Sequence, residues 1–332
     1  MNSINQRNLE IKTRKNDIIE AITQKILLPQ LKREEITFSE LKRKIDILDG
    51  TFSHVKKMFS WRERDNWEDA FIHQIEVVEL LIQHSTDLTF EKVLILLEHD
   101  TIEDTDITIS WMKESHKDYN IVFSVALMTK DPIIDFINNN EDKDILDQIL
   151  QSWILNSKWN ISDYFHDKLK SNTPLTQVEK NAYPEYQDLA KTYKPIRNKI
   201  YSENMQTIER FLNHALRINI NHWFNMNLEQ IQNNIINALE CKLIDRLHWI
   251  STLWNCDTDK IERKIKETLT YYKEIAIKFF PHLWKLIKVE LERAKKILEF
   301  RKINNITDNT KGQTHHVLKN SQLTFAFDKD EK

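Results

Sequence analysis

Glycine is nearly absent from this chain of 332 residues, which contains only Gly50 and Gly312. Phosphate-binding loops and dinucleotide-binding turns need glycine, because their backbone must approach a ligand closely or adopt a positive φ. The sequence has no GxGxxG motif and no P-loop. Any phosphate chemistry must therefore use side chains and a metal ion instead of a glycine cradle. Together with a count of only six prolines, the scarcity of glycine also favours an all-helical fold.

Cysteine and long apolar runs are equally scarce. The two cysteines, Cys241 and Cys256, form no CxxC pair and cannot build a disulfide framework, which favours a reducing, cytoplasmic location. No run approaches the roughly 20 apolar residues that a membrane helix needs, so we expect no membrane association. The formal charge of −3 comes from 48 basic and 51 acidic side chains, and this balance gives no reason to expect nucleic-acid binding.

Apolar residues recur at spacings of three and four along most of the chain, which predicts amphipathic helices. These helices are expected at 16–28, 39–59, 66–85, 88–98, 107–116, 118–128, 142–157, 183–196, 203–218, 228–255 and 258–302. We expect three parts, namely N-terminal helices over 1–60, a larger helical domain over 60–302 and a polar, disordered tail over 303–332. The apolar stripe of the last helix could support a homodimer.

The stretch "LLEHDTIEDTD", residues 96–106, places a histidine and five acids directly after an apolar run. Clustered carboxylates repel one another, and the repulsion grows beside an apolar core. His99, Asp100, Glu103 and Asp104 form the pattern HDxxED, and imidazole with carboxylate is a suitable ligand set for a divalent metal. The sequence therefore predicts a metal site here. The other two acids of the stretch, Glu98 and Asp106, are expected to face solvent.

Two residues elsewhere could complete such a site. His73 lies in the apolar segment "DAFIHQIEVVELL", where the alternative is a core histidine with a satisfied hydrogen bond. Asp245 lies in the apolar segment "ALECKLIDRLHWISTLW", and an acid buried there must be paired or bound to a metal. Arg246 offers a plain salt bridge as the alternative. One helix face is shared by Asp245, His248, Trp249 and Thr252.

In combination, the HDxxEDT and KLxDRLH motifs resemble the hydrolase half of the RelA/SpoT family, an HD-type metal phosphohydrolase. The likeness covers roughly 60–130 and 228–292. It implies a standalone hydrolase domain over 60–302, folded as an all-α, HD-domain and phosphodiesterase-like helical bundle around a metal site. About 70 residues, near 135–205, would form a helical insertion. The resemblance implies one Mn²⁺-like ion, with the ligands His73, His99, Asp100 and Asp245.

The activity that this resemblance implies is hydrolysis of guanosine tetra- or pentaphosphate, the bacterial alarmone (p)ppGpp, with release of its 3′-pyrophosphate. Asp104, helped by Glu103, would orient the attacking water and take its proton. Contacts to the substrate would come from Arg64 against the base, Lys130 on a phosphate, and Trp249 and Thr252 around the nucleoside. The alternatives are a solvated surface cation for Arg64 and for Lys130, and core packing for Trp249.

Two departures from the family pattern affect the nucleoside pocket. Trp249 stands where the family has asparagine after DRLH, and Asp65 stands where the family has a basic residue after the arginine. These changes motivate a rival prediction, an HD-fold phosphohydrolase that acts on another nucleotide such as NADPH. A second rival is a helical module that binds a nucleotide or a protein without catalysis. Retention of Glu103 and Asp104 argues against it, because a structural metal site needs neither.

Overall fold

The computed structural model of this chain describes residues 2–59, 70–105, 107–116, 118–130 and 198–303. All regular structure within these ranges is helical and no strand occurs in them, which confirms the all-α prediction. In the same part of the chain, no helix combines the length and the apolar character that crossing a bilayer requires. Arg64, Asp65, Asp106, most of the expected insertion and nearly all of the expected tail lie outside the described residues.

Eight helices precede residue 130 in the described ranges. They are α1 (Asn2–Ile22), α2 (Leu28–Lys32), α3 (Phe38–Phe59), α4 (Ala70–His84), α5 (Phe90–Glu98), α6 (Thr101–Asp104), α7 (Ile109–Ser115) and α8 (Tyr119–Met128). A wider π turn, Thr23–Leu27, joins α1 to α2. Thr89 begins α5 because its side chain accepts a hydrogen bond from the backbone N–H of Lys92, as a helix N-cap does.

The described chain resumes at 198 with a short helical stretch and continues through five further α-helices. These are α9 (Ile208–Asn221), α10 (Leu228–Ser251), α11 (Thr258–Glu267), α12 (Lys273–Phe279) and α13 (Pro281–Ile303). The single helix predicted over 258–302 is therefore wrong. A π turn, Thr268–Tyr272, interrupts the α-helix, and the chain leaves helical geometry at Phe280. Pro281 explains the second break, because the residue before a proline is disfavoured in the α conformation.

Helix α10 is the central element of the bundle. It packs against α4, α5, α8, α9 and α13, and residues 238–248 along it are all buried. Helices α1 and α3 pack onto α4 and α5, so the apolar side chains of the first 59 residues join the same hydrophobic core as the rest. The polar and charged residues within this buried part of α10 must find partners inside the protein. Several of these buried polar residues belong to the site described next.

Candidate metal centre

Three elements bring the four predicted ligands to one point. His73 lies on α4, Asp245 lies on α10, and His99 and Asp100 follow the last residue of α5. The Nε2 atom of His73 is 3.5 Å from Asp100 Oδ2 and 3.4 Å from Asp245 Oδ1. The Nε2 atom of His99 is 3.1 Å from Asp100 Oδ2 and 3.6 Å from Asp245 Oδ1. Each imidazole therefore faces both carboxylates.

This arrangement fits a divalent cation. His73, His99 and Asp245 form a buried group whose ligand atoms all lie within 4.8 Å of one another. Ligand atoms about 2.1 Å from an ion are about 3.0 Å apart at a right angle and about 3.4 Å apart at a tetrahedral angle, close to the spacing found here. His99 Nε2 and Asp245 Oδ1 are buried and make no hydrogen bond. An ion between them would bind both atoms. Without a partner, each buried polar atom destabilises the folded protein.

The electrostatics of the ligands reflect their mutual contact. Burial lowers the pKa of His99, but the carboxylates of Asp100 and Asp245 outweigh burial and raise that pKa to about 10. Burial raises the pKa of Asp100, and the neighbouring imidazoles of His99 and His73 more than reverse that effect. In the absence of an ion, a proton on His99 thus supplies positive charge beside the two carboxylates.

The orientation of two ligands is fixed by further hydrogen bonds. The Nδ1–H of His99 donates to the carbonyl oxygen of Leu96 at 2.8 Å, which leaves Nε2 facing the centre. Lys242, one turn before Asp245 on α10, lies 3.2 Å from Asp245 Oδ2 and leaves Oδ1 for the centre. The sequence analysis missed Lys242. Its i,i+3 spacing from a buried aspartate was the available signal.

His73 is held from behind by a chain of polar groups. Its Nδ1 lies 3.0 Å from Nδ1 of His248 on α10, and Nε2 of His248 lies 2.9 Å from Glu76 Oε2 on α4. Burial raises the pKa of Glu76, yet the hydrogen bond from His248 and neighbouring positive charge bring it below its usual value. The helix-face pattern singled out His248, but Glu76 gave no sequence signal because its partner is 172 residues away.

The two candidate catalytic acids have different surroundings. Glu103 is half-buried and binds Lys130 through both oxygens, accepting from the backbone N–H at 3.0 Å and from Nζ. Burial raises the pKa of Glu103, while the positive charges of Lys130 and Lys242 lower it below its ordinary value. Asp104 is exposed on the same turn. Lys130 is thus tied to Glu103 beside the centre, and its expected role on a phosphate stays a prediction.

Trp249 lies next to the metal centre and beside two lysines. Its ring centroid is 6.4 Å from that of His73, and the ammonium groups of Lys260 and Lys264 lie 5.3 and 5.9 Å from it. The side chain is half-buried. The hydroxyl of Thr252 donates to carbonyl oxygens at the end of α10, and its expected contact with a nucleoside stays a prediction.

Arg246 is not the salt-bridge partner that the sequence offered for Asp245. Its guanidinium donates to Glu267 Oε1 at 3.0 Å and to the Tyr272 hydroxyl at 2.8 Å, and it stacks over the Tyr272 ring at 4.2 Å. Lys264 donates to the other oxygen of Glu267 at 2.9 Å. These contacts attach α11 and the following π turn to the helix that carries Asp245.

The prediction that Glu98 faces solvent is wrong. Its side chain is buried at the end of α5, and Oε1 lies 3.0 Å from Nε2 of His116. The apolar run before it carries the carboxylate into the protein, and the imidazole provides the partner that a buried acid requires. Cys241, one turn before Asp245 on α10, is a buried free thiol.

The chain finds no match among protein-family models or among curated proteins. The likeness to RelA/SpoT hydrolases therefore remains a prediction that depends on the two motifs. The structure is all-α in the described residues and holds a buried group of histidine and aspartate that could bind a metal ion.

Proposed function

We propose that this protein is a metal-dependent phosphohydrolase that removes the 3′-pyrophosphate from guanosine tetra- or pentaphosphate. The single observation that carries the proposal is the convergence of His73, His99, Asp100 and Asp245 on one point, at the positions where the motif resemblance expects ligands. Two nitrogen and two oxygen donors suit Mn²⁺, among other divalent ions. When bound, such an ion would polarise a phosphate oxygen and make a water molecule more acidic.

The acids after the ligands have separable roles in this proposal. Glu103 holds Lys130 through both oxygens, and a carboxylate with two donors and a lowered pKa is a weak base. We therefore assign it to positioning Lys130 for a phosphate oxygen. Asp104 lies on the same short helix, α6, and is exposed to solvent. We assign to it the removal of the proton from the attacking water.

A polyphosphorylated substrate is supported by the charges near the centre. Lys130 lies beside Glu103, and Lys242 lies 3.2 Å from Asp245 Oδ2 at the centre itself. Ammonium groups are suitable donors to phosphate as point charges. Because the chain lacks glycine loops, these side chains are the natural substitutes for a backbone cradle.

Trp249 favours one alternative substrate class. An indole ring beside His73, with two lysines over its face, could stack on a base other than guanine while the lysines bind an additional phosphate. The second candidate is therefore an HD-type phosphohydrolase that acts on a phosphorylated dinucleotide such as NADPH. A non-catalytic helical module has no comparable observation in its favour.

The proposal is tested by turnover with Mn²⁺ and a panel of nucleotides. We expect pyrophosphate release from the tetraphosphate to exceed phosphate release from NADPH. Asp104→Asn should reduce the rate by about 10²-fold or more, as loss of a general base does. Glu114→Gln, which changes an exposed acid on the next helix, is the matched control. A preference for NADPH would select the alternative, and an Asp104→Asn rate equal to wild type would remove the catalytic assignment.

A further inference from the structure

The contact behind His73 joins two imidazoles. Nδ1 of His73 and Nδ1 of His248 are 3.0 Å apart, and both rings are buried. A neutral imidazole carries one proton, so one ring must donate in this hydrogen bond and the other must accept. The other ligand histidine is in a simpler position, because the Leu96 carbonyl that meets His99 Nδ1 can only accept.

A metal ion at the centre removes the ambiguity. The Nε2 atom of His73 faces Asp100 and Asp245, so this nitrogen must offer its lone pair to an ion. The proton of His73 then lies on Nδ1 and is donated to Nδ1 of His248. His248 must in turn carry its proton on Nε2, which lies 2.9 Å from a carboxylate oxygen of Glu76. Because a carboxylate only accepts, Glu76 selects the form of His248 that the ion requires.

We propose that Glu76 and His248 are positioning residues for the metal ion, and that they act as a relay that fixes which nitrogen of His73 carries the proton. In this relay, His73 donates a hydrogen bond to His248, and His248 donates one to Glu76. The inference depends on the metal ion of the proposed function but not on its substrate. Loss of such an outer partner typically weakens metal affinity about tenfold to a hundredfold.

The far end of the relay lies on the N-terminal helix α1. Arg14 contacts Glu76 Oε1 at 3.7 Å and binds Glu79 through two hydrogen bonds, of 2.8 and 2.5 Å. Arg14 thereby places positive charge near Oε1 of Glu76, while Oε2 accepts from His248. Glu79 binds the same arginine one turn along α4 but has no bond to His248. A variant at Glu79 therefore disturbs the packing of α1 on α4 without removing a member of the relay.

The test is Mn²⁺ affinity, measured by calorimetric titration of chelator-stripped full-length protein. We expect His248→Phe and Glu76→Met to raise the dissociation constant about tenfold or more. His248→Asn, whose amide oxygen can accept near the Nδ1 position, should recover part of the loss. Glu79→Met is the matched control and should stay within about threefold of wild type. The side chain of Glu76 is about one-third exposed, whereas His248 is buried. The Glu76 variant therefore still tests the relay if the His248 variants fail to fold.

A spectroscopic readout distinguishes the relay from general packing. In Zn²⁺-loaded protein labelled with ¹⁵N-histidine, nuclear magnetic resonance should report the proton of His73 on Nδ1 and that of His248 on Nε2. In Glu76→Met, His248 should populate the other form. The inference is overturned if wild type binds no divalent ion, if both relay variants keep wild-type affinity, or if Glu79→Met weakens binding as much. Wild type that binds Mn²⁺ with these dependences but hydrolyses no nucleotide would sink the proposed function and leave the relay standing.

Discussion

Addition of a divalent ion should stabilise the folded protein, because two buried ligand atoms gain the partner that they lack. His99 Nε2 and Asp245 Oδ1 make no hydrogen bond, and an unsatisfied buried polar atom costs about 1–3 kcal/mol. An ion that satisfies both atoms removes this cost on binding, and that gain is part of its affinity. Mn²⁺ at a hundred times its dissociation constant then stabilises the folded protein by about 2.7 kcal/mol through linkage. At about 2 °C for each kcal/mol, the melting temperature should rise by about 5 °C.

The assay is thermal unfolding of chelator-stripped protein with and without Mn²⁺, followed by tryptophan fluorescence. Asp245→Asn keeps the side-chain size but removes the charge, and its Mn²⁺-induced rise should fall below about 1 °C. Asp46→Asn, an exposed change on α3, should keep the whole rise. Each variant is compared with its own metal-free form, so lost metal-free stability cancels. A wild type that melts at the same temperature with Mn²⁺, or an Asp245→Asn rise equal to that of wild type, would refute the metal centre.

Two further predictions concern ion pairs around the bundle. Lys92 and Glu240 are buried and 2.7 Å apart, and the exposed carboxylate of Asp87 lies 3.4 Å from the same ammonium group. Glu240→Gln should leave the buried lysine with only that weaker partner and cost about 3 kcal/mol in urea unfolding. Lys92→Met with Glu240→Met should restore most of the loss, and a double variant as unstable as the single would contradict this. Burial raises the pKa of Glu267, but Arg246 and then Lys264 lower it to about 2 from the model-peptide value of 4.5. The stabilisation that ionised Glu267 provides is therefore complete above pH 4.5 and is lost as the pH falls towards 2, by at most about 3 kcal/mol. In Glu267→Gln, the free energy of unfolding should therefore depend less on pH over that window than it does in wild type.

Local pattern was sufficient for the helices and for the part of the site that lies within one short stretch. The three-and-four spacing of apolar residues predicted α4, α5, α8 and α10. His99 and Asp100 were identified because five acids after an apolar run require a cation. His73 and Asp245 needed the family resemblance, since the sequence alone left core and salt-bridge alternatives for them. The structure brings both to the same point as His99.

Contacts between distant helices are what the sequence could not supply. The bond between His248 and Glu76 depends on how α10 packs against α4, and helical periodicity specifies a buried face without specifying which residue it meets. Glu98 was misassigned for the same reason. Its partner His116 lies in the segment after α7, and nothing in the spacing of the acidic stretch indicated that the two would meet.

The paired state of the lysines near the centre has a consequence for substrate binding. Lys130 contacts Glu103, Lys242 contacts Asp245, and the neighbouring lysine on α11 contacts Glu267, so carboxylates already offset these charges. Helix backbones offer no free N–H groups along their length for phosphate, because those groups bond within the helix. A metal ion would therefore supply most of the uncompensated positive charge, and we expect nucleotide and ion to increase each other's affinity by the same factor. Nucleotide affinity that is unchanged by Mn²⁺ would show that the lysines act independently of the ion.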